Sequence, residues 1–440
     1  MMNAPKVVVI GGGIGGLCLA QGLHAEGVPV EVFERDEHPA SCWEGYRIHI
    51  DPAGARSLRA CLPARLWDTF VATSAPGGDF GFLTERLAEL LVVEEAISHP
   101  GGEHPVESHY AVDRRALRRL LLSGIEDLVH FGAEFRSYTD AGDGRVTAEF
   151  TDGRRVTAEV LVGADGPGSR VRKQYLPQAA PRPAGVAGIA HKLFLTEQTL
   201  AWMPERLGHG MNLVSGSDGV SLFTSAYRPP AGARDRLAAL GGAVPDDLDQ
   251  PYVLCALVTR ADRLPAGLRE LDDAGLRDLA DELVAGWHPD LRRVLAESDP
   301  SCRSAQTFSV APEIAPWPSS RVTVLGDAIH AVPATGGLGG NTALRDARRL
   351  TMALSGVARG DSEPVPAIAA YEADLRDHGY AAIRDALEIR DQMLAHGVVS
   401  TAVSRAWFRL CRRSATLRRR SFGDRPDAVS APRAWEHTLT

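Results

Sequence analysis

A glycine pattern near the start of the chain has the residue types and spacing of a dinucleotide site. Gly11-x-Gly13-x-x-Gly16 follows the apolar residues 6–10 and precedes a helical pattern, and Glu34 stands about 20 residues further on. The glycines permit a tight turn and let the backbone approach a pyrophosphate, which the N–H groups of the following helix would attract. Glu34 would accept a hydrogen bond from an adenosine ribose. The pattern predicts dinucleotide binding, and it leaves open whether the ligand is FAD or NAD.

Two other segments place an acid beside a glycine directly after an apolar, β-type run. Asp165-Gly166 follows "VLVGA", and Gly326-Asp327 follows "RVTVL". Ligands of α/β sheets bind outside the carboxyl ends of the strands, so both acids are expected in that crevice, with the Asp327 carboxylate directed at polyol hydroxyls. Arg114, at the start of the predicted helix "RRALRRLL", could reach a ribose or a pyrophosphate, although a solvated surface position fits its sequence equally well.

A third feature is the glycine-rich run "GGLGGN" at residues 336–341, which stands between Pro333 and a pattern that predicts a helix from about Thr342. Glycine loses more conformational freedom on folding than other residues, so four glycines here indicate that something requires the bare backbone. The amides of such a segment can lie against a flat ring and donate hydrogen bonds to its edge.

These motifs need a parallel sheet to bring them together, and the rest of the sequence provides its elements. Residues 6–10 predict a buried strand, residues 14–26 a helix and residues 28–34 a second strand. Asp113 is placed to cap a helix with leucines at helical spacing. From about residue 182 to 318 the pattern changes to irregular strands and Pro/Gly loops, before "RVTVL" returns to the buried parallel type. The sequence therefore predicts a cofactor domain interrupted by a second, sheet-rich domain.

Composition and charge argue against several other classes of protein. The 440 residues are 44% hydrophobic and 24% charged, and the formal net charge of −8 argues against nucleic acid as the main partner. The six cysteines are scattered without a CxxC pair, which predicts reduced thiols and no metal site in a cytoplasmic protein. The apolar N-terminal run has five glycines in fourteen residues, typical of strand, turn and helix and not of a signal peptide. No run of about eighteen apolar residues occurs, so no membrane span is expected.

In their order and spacing, these motifs resemble one family. The fingerprint with its acid, "RRAL", "GADG" and "GDAIHAVPATGGLGGNTALRDA" are similar to the single-component, group A FAD-dependent monooxygenases, the aromatic hydroxylases related to p-hydroxybenzoate hydroxylase. The resemblance covers residues 6–50, 110–172 and 320–355. It implies an α/β fold with a discontinuous Rossmann-like FAD-binding domain, an inserted mixed β-sheet substrate domain and a C-terminal helical region. The expected divisions are 1–75, 105–180 and 319–360 for the FAD-binding domain, 76–104 and 181–318 for the substrate domain, and 361–440 for the C-terminal helices and tail.

The resemblance also implies roles for individual residues. Asp327 would bind the ribityl chain of FAD, Pro333 would lie beside the isoalloxazine, and the amides of residues 339–341 would stabilise the anionic reduced flavin. Asp165-Gly166 would serve both the flavin and the approach of NADPH. The expected cofactor-binding set is Gly11, Gly13, Ile14, Gly16, Glu34, Arg35, Arg47, Arg114, Asp165, Gly166, Gly326, Asp327, Pro333, Gly339, Gly340 and Asn341.

The activity that the resemblance implies is that of an oxidoreductase using FAD and either NADPH or NADH. Reduced FAD would bind O₂ as a C4a-hydroperoxide and hydroxylate or epoxidise a bulky, aromatic or polyketide-like small molecule. An FAD-binding non-redox cyclase of natural-product biosynthesis stays an alternative, because its flavin-binding motifs would look the same. The chain lacks the Trp-x-Trp-x-Ile-Pro segment of flavin halogenases, and an NAD dehydrogenase would give Asp327 no role. The expected partners are the substrate and O₂, without nucleic acid, and the expected assembly is a monomer or a homodimer.

Residues that would face the substrate are harder to choose. Arg47 and His49 alternate in "YRIHI" and so share one side of a short strand, which makes them candidates for a catalytic or cofactor-handling role. The basic segment 409–420 predicts a solvated helix in preference to a membrane-surface helix. The pocket candidates in the predicted substrate domain, each also consistent with ordinary sheet packing, are His191, Trp202, His209, Met211 and Tyr227.

Overall fold

The computed structural model describes residues 4–38, 46–98, 104–395 and 397–423. In chain order its strands are β1 (Val7–Ile10), β2 (Val30–Phe33), β3 (Arg47–Ile50), β4 (Ala75–Pro76), β5 (Phe80–Thr84), β6 (Glu89–Val93), β7 (Tyr110–Asp113), β8 (Val129–His130), β9 (Phe135–Asp140), β10 (Val146–Phe150), β11 (Arg155–Ala158), β12 (Val160–Gly163), β13 (Arg182–Phe194), β14 (Met211–Ser215), β15 (Ser221–Tyr227), β16 (Tyr252–Arg260), β17 (Ser304–Val310) and β18 (Val322–Val324). Its helices are α1 (Ile14–Ala25), α2 (Pro52–Cys61), α3 (Ala64–Thr73), α4 (Glu95–Ser98), α5 (Arg114–Leu122), α6 (Arg170–Tyr175), α7 (Glu197–Leu200), α8 (Ala233–Ala238), α9 (Asp273–Leu283), α10 (Pro289–Ala296), α11 (Asp327–His330), α12 (Leu338–Arg359), α13 (Pro364–Leu394), α14 (Val398–Arg413) and α15 (Ala415–Phe422).

The first sheet is parallel throughout, in the order β18-β12-β1-β2-β8. Val9 in the buried central strand β1 lies opposite Val32 on one side and Val162 on the other. Apolar, β-branched strands of this kind suit a parallel sheet that is covered on both faces. Helices α1 and α12 contact each other, and Leu17 and Leu344 belong to the hydrophobic core that includes this sheet. The prediction of a Rossmann-like α/β domain is confirmed.

The second large sheet is mixed and has the order β17-β13-β16-β15-β14-β5-β6. Strands β14 and β5 pair in parallel, and the other neighbours pair antiparallel. Helices α9 and α10 supply Leu276, Leu291 and Val294 to a core shared with this sheet. Strands β5 and β6 come from residues 80–93, so the chain enters this sheet twice. The predicted inserted mixed sheet is therefore present.

Helix α12 begins at Leu338, so the expectation of a helix from about Thr342 is wrong. Gly337 precedes the helix with φ +66°, a left-handed conformation that glycine adopts without strain. Gly339 and Gly340 accordingly lie in the first turn of the helix, where they had been expected to lead into it.

The basic segment 409–420 forms the end of α14 and the first part of α15, and most of its residues are exposed, as predicted for a solvated helix. These helices pack on β5 and β6, where Phe408, Cys411 and Phe422 are buried in one apolar cluster with Phe82. Within the segment only Cys411 is buried, so the contact with the sheet is made mainly by the residues that flank it. Residues 424–440 of the predicted tail lie outside the described residues.

Two further observations bear on the sequence predictions. Within the described ranges, no helix has the length and apolar character needed to cross a bilayer. The cysteines of these ranges carry free thiols, and Cys42 lies outside them; the free cysteines are Cys18, Cys61, Cys255, Cys302 and Cys411.

Candidate functional site

A cavity of about 1580 Å³ lies between the parallel sheet and the mixed sheet. Small-molecule sites usually enclose about 300–1,000 Å³, so this cavity has room for a cofactor and a second molecule together. One side is formed by the carboxyl ends of the parallel strands, and the other by the mixed sheet and the C-terminal helices. The predicted cofactor residues on its wall are Gly11, Gly13, Ile14, Gly16, Glu34, Arg35, Arg47, Arg114, Asp165, Gly166, Gly326, Asp327, Gly339 and Gly340.

The turn between β1 and α1 accepts only glycine at two positions. Gly11 has φ +110°, and a Cβ atom there would lie 2.3 Å from the carbonyl oxygen of Ala164. A Cβ atom at Gly16 would lie 2.1 Å from the carbonyl oxygen of Gly11, which shows how closely α1 approaches the strand. Gly13 has open space beside it, and neither a capping side chain nor an acidic residue occupies the first turn of α1. The amides at this helix end are therefore available to an anion.

Glu34 is fixed beside this turn at the end of β2. The Gly12 N–H donates to Glu34 Oε2 at 2.6 Å, and the Asp36 N–H donates to Glu34 Oε1 at 3.0 Å. Both oxygens keep lone pairs that can accept from a ligand hydroxyl, because each accepts only one backbone N–H here. The carboxylate is therefore held in place and lies on the cavity wall, as binding of an adenosine ribose requires.

Helix α5 brings two cations to the same side of the cavity. Arg114 and Arg118 are four residues apart, so they share one helical face, and both line the cavity. The Nε of Arg118 donates to the carbonyl oxygen of Gly12 at 3.1 Å. Arg118 is a site residue that the sequence analysis missed, although its spacing from Arg114 in "RRALRRLL" was the signal that could have found it.

Asp165 and Asp327 lie at the ends of β12 and β18, as parallel strands require. The Asp165 Oδ2 accepts the Arg170 N–H at 2.7 Å, while Oδ1 is buried and has no hydrogen-bond partner among the described residues. Asp327 is exposed to the cavity but is otherwise surrounded by protein. Desolvation raises the pKa of Asp327, and the positive charges of His330 and Arg114 oppose that shift. Asp327 therefore faces the space where a polyol would bind, whereas the unpartnered Asp165 oxygen is buried beside the cavity.

Different structural requirements explain the glycines at the individual positions of the run 336–341. A Cβ atom at Gly336 would lie 2.7 Å from Ile389 of α13, so this glycine permits helix packing. A Cβ atom at Gly340 would meet nothing within 4 Å, and Gly340 borders the cavity. The first turn of α12, like that of α1, has no acidic residue and no capping side chain. The bare backbone at residue 340 is therefore available to a ligand, whereas the missing side chain at residue 336 serves helix packing, although Gly336 also borders the cavity.

Two of the expected cofactor residues are not on the cavity wall. Pro333 is buried behind it, because the chain turns inward after α11. The Asn341 side chain joins α12 to β3: Nδ2 donates to the His49 carbonyl at 2.9 Å, and Oδ1 accepts the Asp51 N–H at 3.1 Å. This side chain therefore fixes the position of the strand and does not point at a ligand.

A buried network lies directly behind Asp327. Asp346 of α12 accepts hydrogen bonds from three sides: the Gly326 N–H at 2.8 Å, His330 Nε2 at 2.5 Å and His378 Nε2 at 2.6 Å. Burial disfavours ionisation of Asp346, but the His330 charge and both histidine hydrogen bonds hold its pKa well below the ordinary value. Burial would lower the pKa of His330, but the charge and hydrogen bond of Asp346, together with the charge of Asp327, outweigh that effect and raise it.

These three side chains are of metal-binding types, but their separations are those of hydrogen bonds. Two ligands of one tetrahedral zinc ion, each about 2.0–2.2 Å from the metal, stand about 3.3 Å apart. The histidine–carboxylate distances of 2.5 and 2.6 Å leave no such space. The group is therefore a charge network that holds the turn before Asp327 against α12 and α13.

The two candidates in β3 both border the cavity. Arg47 is buried, its Nη2 donates to the Gly77 carbonyl at 2.7 Å, and burial lowers its pKa to about 10. His49 Nε2 lies 2.9 Å from His109 Nδ1, and the two rings stack with centroids 5.0 Å apart. Both side chains are therefore held in fixed positions on β3, the strand that Asn341 joins to α12.

Of the predicted pocket residues, Met211 lines the cavity and four do not. His191 is on the face of β13 turned to α9 and α10, where Arg303 donates to it and burial lowers its pKa to about 3. Tyr227 packs on Tyr252 at 5.4 Å. Trp202 lies under Arg293, and His209 is exposed. The physical reason is strand alternation: Ala190, next to His191, is the residue that faces the cavity.

A family model described as FAD binding domain matches residues 4–386. A solved structure assigned to an FAD containing monooxygenase from Photorhabdus luminescens subsp. laumondii TTO1 is 32% identical, with a TM-score of 0.77, and the match covers 89% of this chain and 98% of that one. The chain belongs to the FAD-dependent monooxygenase family. This confirms the resemblance stated from the motifs.

Two other proteins that the chain resembles differ from it in length or in sequence identity. The dual O-methyltransferase/FAD-dependent monooxygenase CTB3 of Cercospora beticola is 34% identical over 401 residues, which are 85% of this chain and 44% of that protein. The chain thus spans less than half the length of that relative. The Klebsiella pneumoniae HpxO structure, complexed with FAD and uric acid, is 24% identical with a TM-score of 0.73 and covers 92% of both chains. At that identity, the likeness concerns the fold alone.

Proposed function

We propose that this chain is an FAD-dependent monooxygenase that uses NADPH or NADH and O₂ to hydroxylate or epoxidise a bulky, aromatic or polyketide-like small molecule. The observation that carries the proposal is a single cavity: one half has groups suited to phosphates and a polyol, and the other half has phenylalanines and other apolar side chains beside a few polar ones. We also propose the division of the chain given above, with residues 76–104 and 181–318 as the substrate domain.

The groups on the cofactor half match the parts of FAD in order. The amides at the start of α1, with Arg114 and Arg118 nearby, suit the pyrophosphate, and Glu34 suits the ribose. Asp327 suits the ribityl hydroxyls, while Asp165 lines the same cavity with its Oδ1 atom buried. The open backbone at the start of α12 suits the ring, since a helix N-terminus stabilises negative charge.

FAD, when bound, supplies the redox chemistry: it accepts a hydride from the nicotinamide and activates O₂. The chain's own residues bind and orient it, and the α12 amides offer positive potential where charge develops. The apolar half of the cavity excludes water from the reacting atoms and places the substrate. No side-chain nucleophile is needed for this chemistry.

The test is the visible spectrum of the purified protein, taken without oxygen before and after NADPH is added. A yellow protein that bleaches, and regains its colour in air, supports the monooxygenase. A yellow protein that stays oxidised with NADPH, NADH and candidate aromatic ligands would overturn it and favour the non-redox cyclase. A colourless protein that takes up no added FAD would overturn both.

A further inference from the structure

Five phenylalanines form a continuous surface on the apolar half of the cavity, and we call it the aromatic wall. All five border the cavity, and they come from β5, β15, α14 and α15. Their nearest ring centroids are 4.3–6.4 Å apart, from Phe82–Phe408 to Phe80–Phe223. The aromatic wall consists of Phe80, Phe82, Phe223, Phe408 and Phe422.

The C-terminal helices complete this wall. Phe408 of α14 stacks on Phe82 at 4.3 Å with an interplanar angle of 26°, and Phe422 of α15 lies 5.6 Å from Phe82. Phe408 and Phe422 are 7% and 3% exposed, yet both border the cavity. The two side chains are therefore packed against the sheet on one side and open to a ligand at one edge.

Ion pairs hold these helices on the β5–β6 hairpin. Arg405 contacts Glu85, Arg412 Nη2 lies 3.7 Å from Glu89, and Arg418 Nε lies 3.4 Å from Glu94. The pairs are distributed along α14 and α15, so they fix the position of both helices and with it the two phenylalanines. The C-terminal helices thus have a defined position relative to the cavity.

The chemistry of the neighbouring wall limits what can bind there. Met211 and Leu213 adjoin the phenylalanines, and among the described residues the mixed sheet and the C-terminal helices contribute no carboxylate to the cavity. A cationic ligand would find no carboxylate there and could make only cation–π contacts with the rings, whereas a neutral or phenolic ligand would pair its ring faces with the phenyl rings. Since the wall extends over several side-by-side rings, one benzene ring would cover only part of it.

We propose that Phe408 and Phe422 are specificity-determining residues, and that the aromatic wall selects planar, fused-ring phenols of two or more rings over single-ring or saturated molecules. The proposal rests on the proposed function, because it identifies the substrate class of that site. Stacking of a planar ring on a phenyl group adds stabilisation beyond burial of apolar area, whereas a puckered ring of the same size gains only the burial.

The test is calorimetric titration of the FAD-loaded full chain with phenol, 2-naphthol, 9-phenanthrol and decahydro-2-naphthol. The last has the skeleton of 2-naphthol without its planarity. We expect affinity to rise from phenol to 9-phenanthrol, and 2-naphthol to bind about two- to tenfold more tightly than decahydro-2-naphthol. Equal affinity for the planar and the saturated bicyclic alcohol would overturn the proposal.

Two variants test whether Phe408 and Phe422 cause the preference for planar ligands. Phe408→Leu and Phe422→Leu keep apolar volume but remove the ring. Each should therefore lower the affinity for 2-naphthol about two- to tenfold and leave the affinity for decahydro-2-naphthol nearly unchanged. Leu410→Ala, on the solvent side of α14 where Leu410 is 48% exposed, is the matched control and should change neither. Unchanged 2-naphthol binding in both leucine variants would also overturn the proposal. FAD content, melting temperature and bleaching by NADPH are read separately, so a failure of the proposed function is distinguishable from a failure of the wall.

Discussion

Replacement of Asp346 by Asn should reveal how much the buried network of Asp346, His330 and His378 contributes to the stability of the protein. The Asp346 side chain is fully buried, and its two oxygens accept from the Gly326 N–H, His330 and His378. Asparagine has nearly the same shape but no charge, and its amide NH₂ would face one of the two histidines. The variant therefore removes the ionic partner of His330 without creating a cavity.

The size of the expected loss of stability follows from the burial of Asp346. Removing one member of a buried ion pair costs about 3–5 kcal/mol, because the remaining charge is left without compensation. For a chain of 440 residues, an unfolding entropy near 2.1 cal/mol/K per residue amounts to about 0.9 kcal/mol/K. The melting temperature of Asp346→Asn should therefore fall by about 3–5 °C. Asp361→Asn, an exposed change just beyond the end of α12, is the control and should leave it unchanged.

The difference in stability between wild type and Asp346→Asn should also depend on pH. The pKa shift of His330 decides whether that difference grows or shrinks as pH rises. Its pKa in the folded protein is raised above the ordinary value of 6.5, so its contribution to stability is complete below pH 6.5 and is lost as pH rises through the folded pKa. Asp346, with a lowered pKa, contributes above its ordinary value of 3.8 and loses its contribution only in stronger acid. As pH rises above 6.5, the wild-type protein should therefore lose the stability that the His330–Asp346 pair contributes, and the Asn variant, which lacks the Asp346 charge, should lose less.

The assay is thermal unfolding of both proteins, followed by circular dichroism at half-unit steps from pH 6 to 9. We expect the difference in melting temperature between wild type and Asp346→Asn to be largest at pH 6 and to decrease as pH rises. Parallel profiles with a constant gap would show that His330 is not charged by Asp346, and the ionic account of the network would then be refuted. FAD content, measured in the same samples, should fall in the variant, because the Gly326 N–H loses its charged acceptor next to Asp327.

The parts of the site that the sequence predicted are those decided over short distances along the chain. The turn with Gly11 and Gly16 needs only β1, α1 and their connection, and Glu34 follows at the end of the next strand. Asp165 and Asp327 are far apart in sequence, but a parallel sheet brings all carboxyl strand ends to one edge. Local pattern and one rule of sheet topology therefore sufficed to place these residues at one edge of the sheet.

The substrate half depends on information that no local pattern carries. Ala190 and His191 are neighbours in β13, but only Ala190 faces the cavity, since the face covered by α9 and α10 is set by tertiary packing. A shift of one residue in register would exchange them. Polar or aromatic character alone was therefore no guide to the pocket, and only Met211 among the five candidates lines it.

Long-range partners explain the other differences. Asn341 bonds to the His49 carbonyl across 292 positions of sequence, and Phe408 stacks on Phe82 from the opposite end of the chain. Asp346 stands in "RDARRL", where it has the appearance of one more charged residue of an exposed helix. Its burial follows from the packing of α11, α12 and α13, which the helical pattern of each segment does not determine.

The remaining predictions concern the cofactor side of the cavity. Asp327→Ala should leave the purified protein with little FAD, measured as flavin absorbance per protein, because the ribityl hydroxyls lose an acceptor; full occupancy would contradict that role. Gly16→Ala should cost about 1–3 kcal/mol in urea unfolding, since its Cβ would lie 2.1 Å from the Gly11 oxygen, whereas Gly286→Ala, with nothing within 4 Å, should be neutral. Gly340→Val directs a branched side chain into open space beside the first turn of α12. We expect FAD to stay bound but its reduction by NADPH to slow in stopped-flow measurements, because the helix amides can no longer approach the ring. An unchanged reduction rate would show that the bare backbone at residue 340 serves packing, as it does at Gly336, and not the flavin.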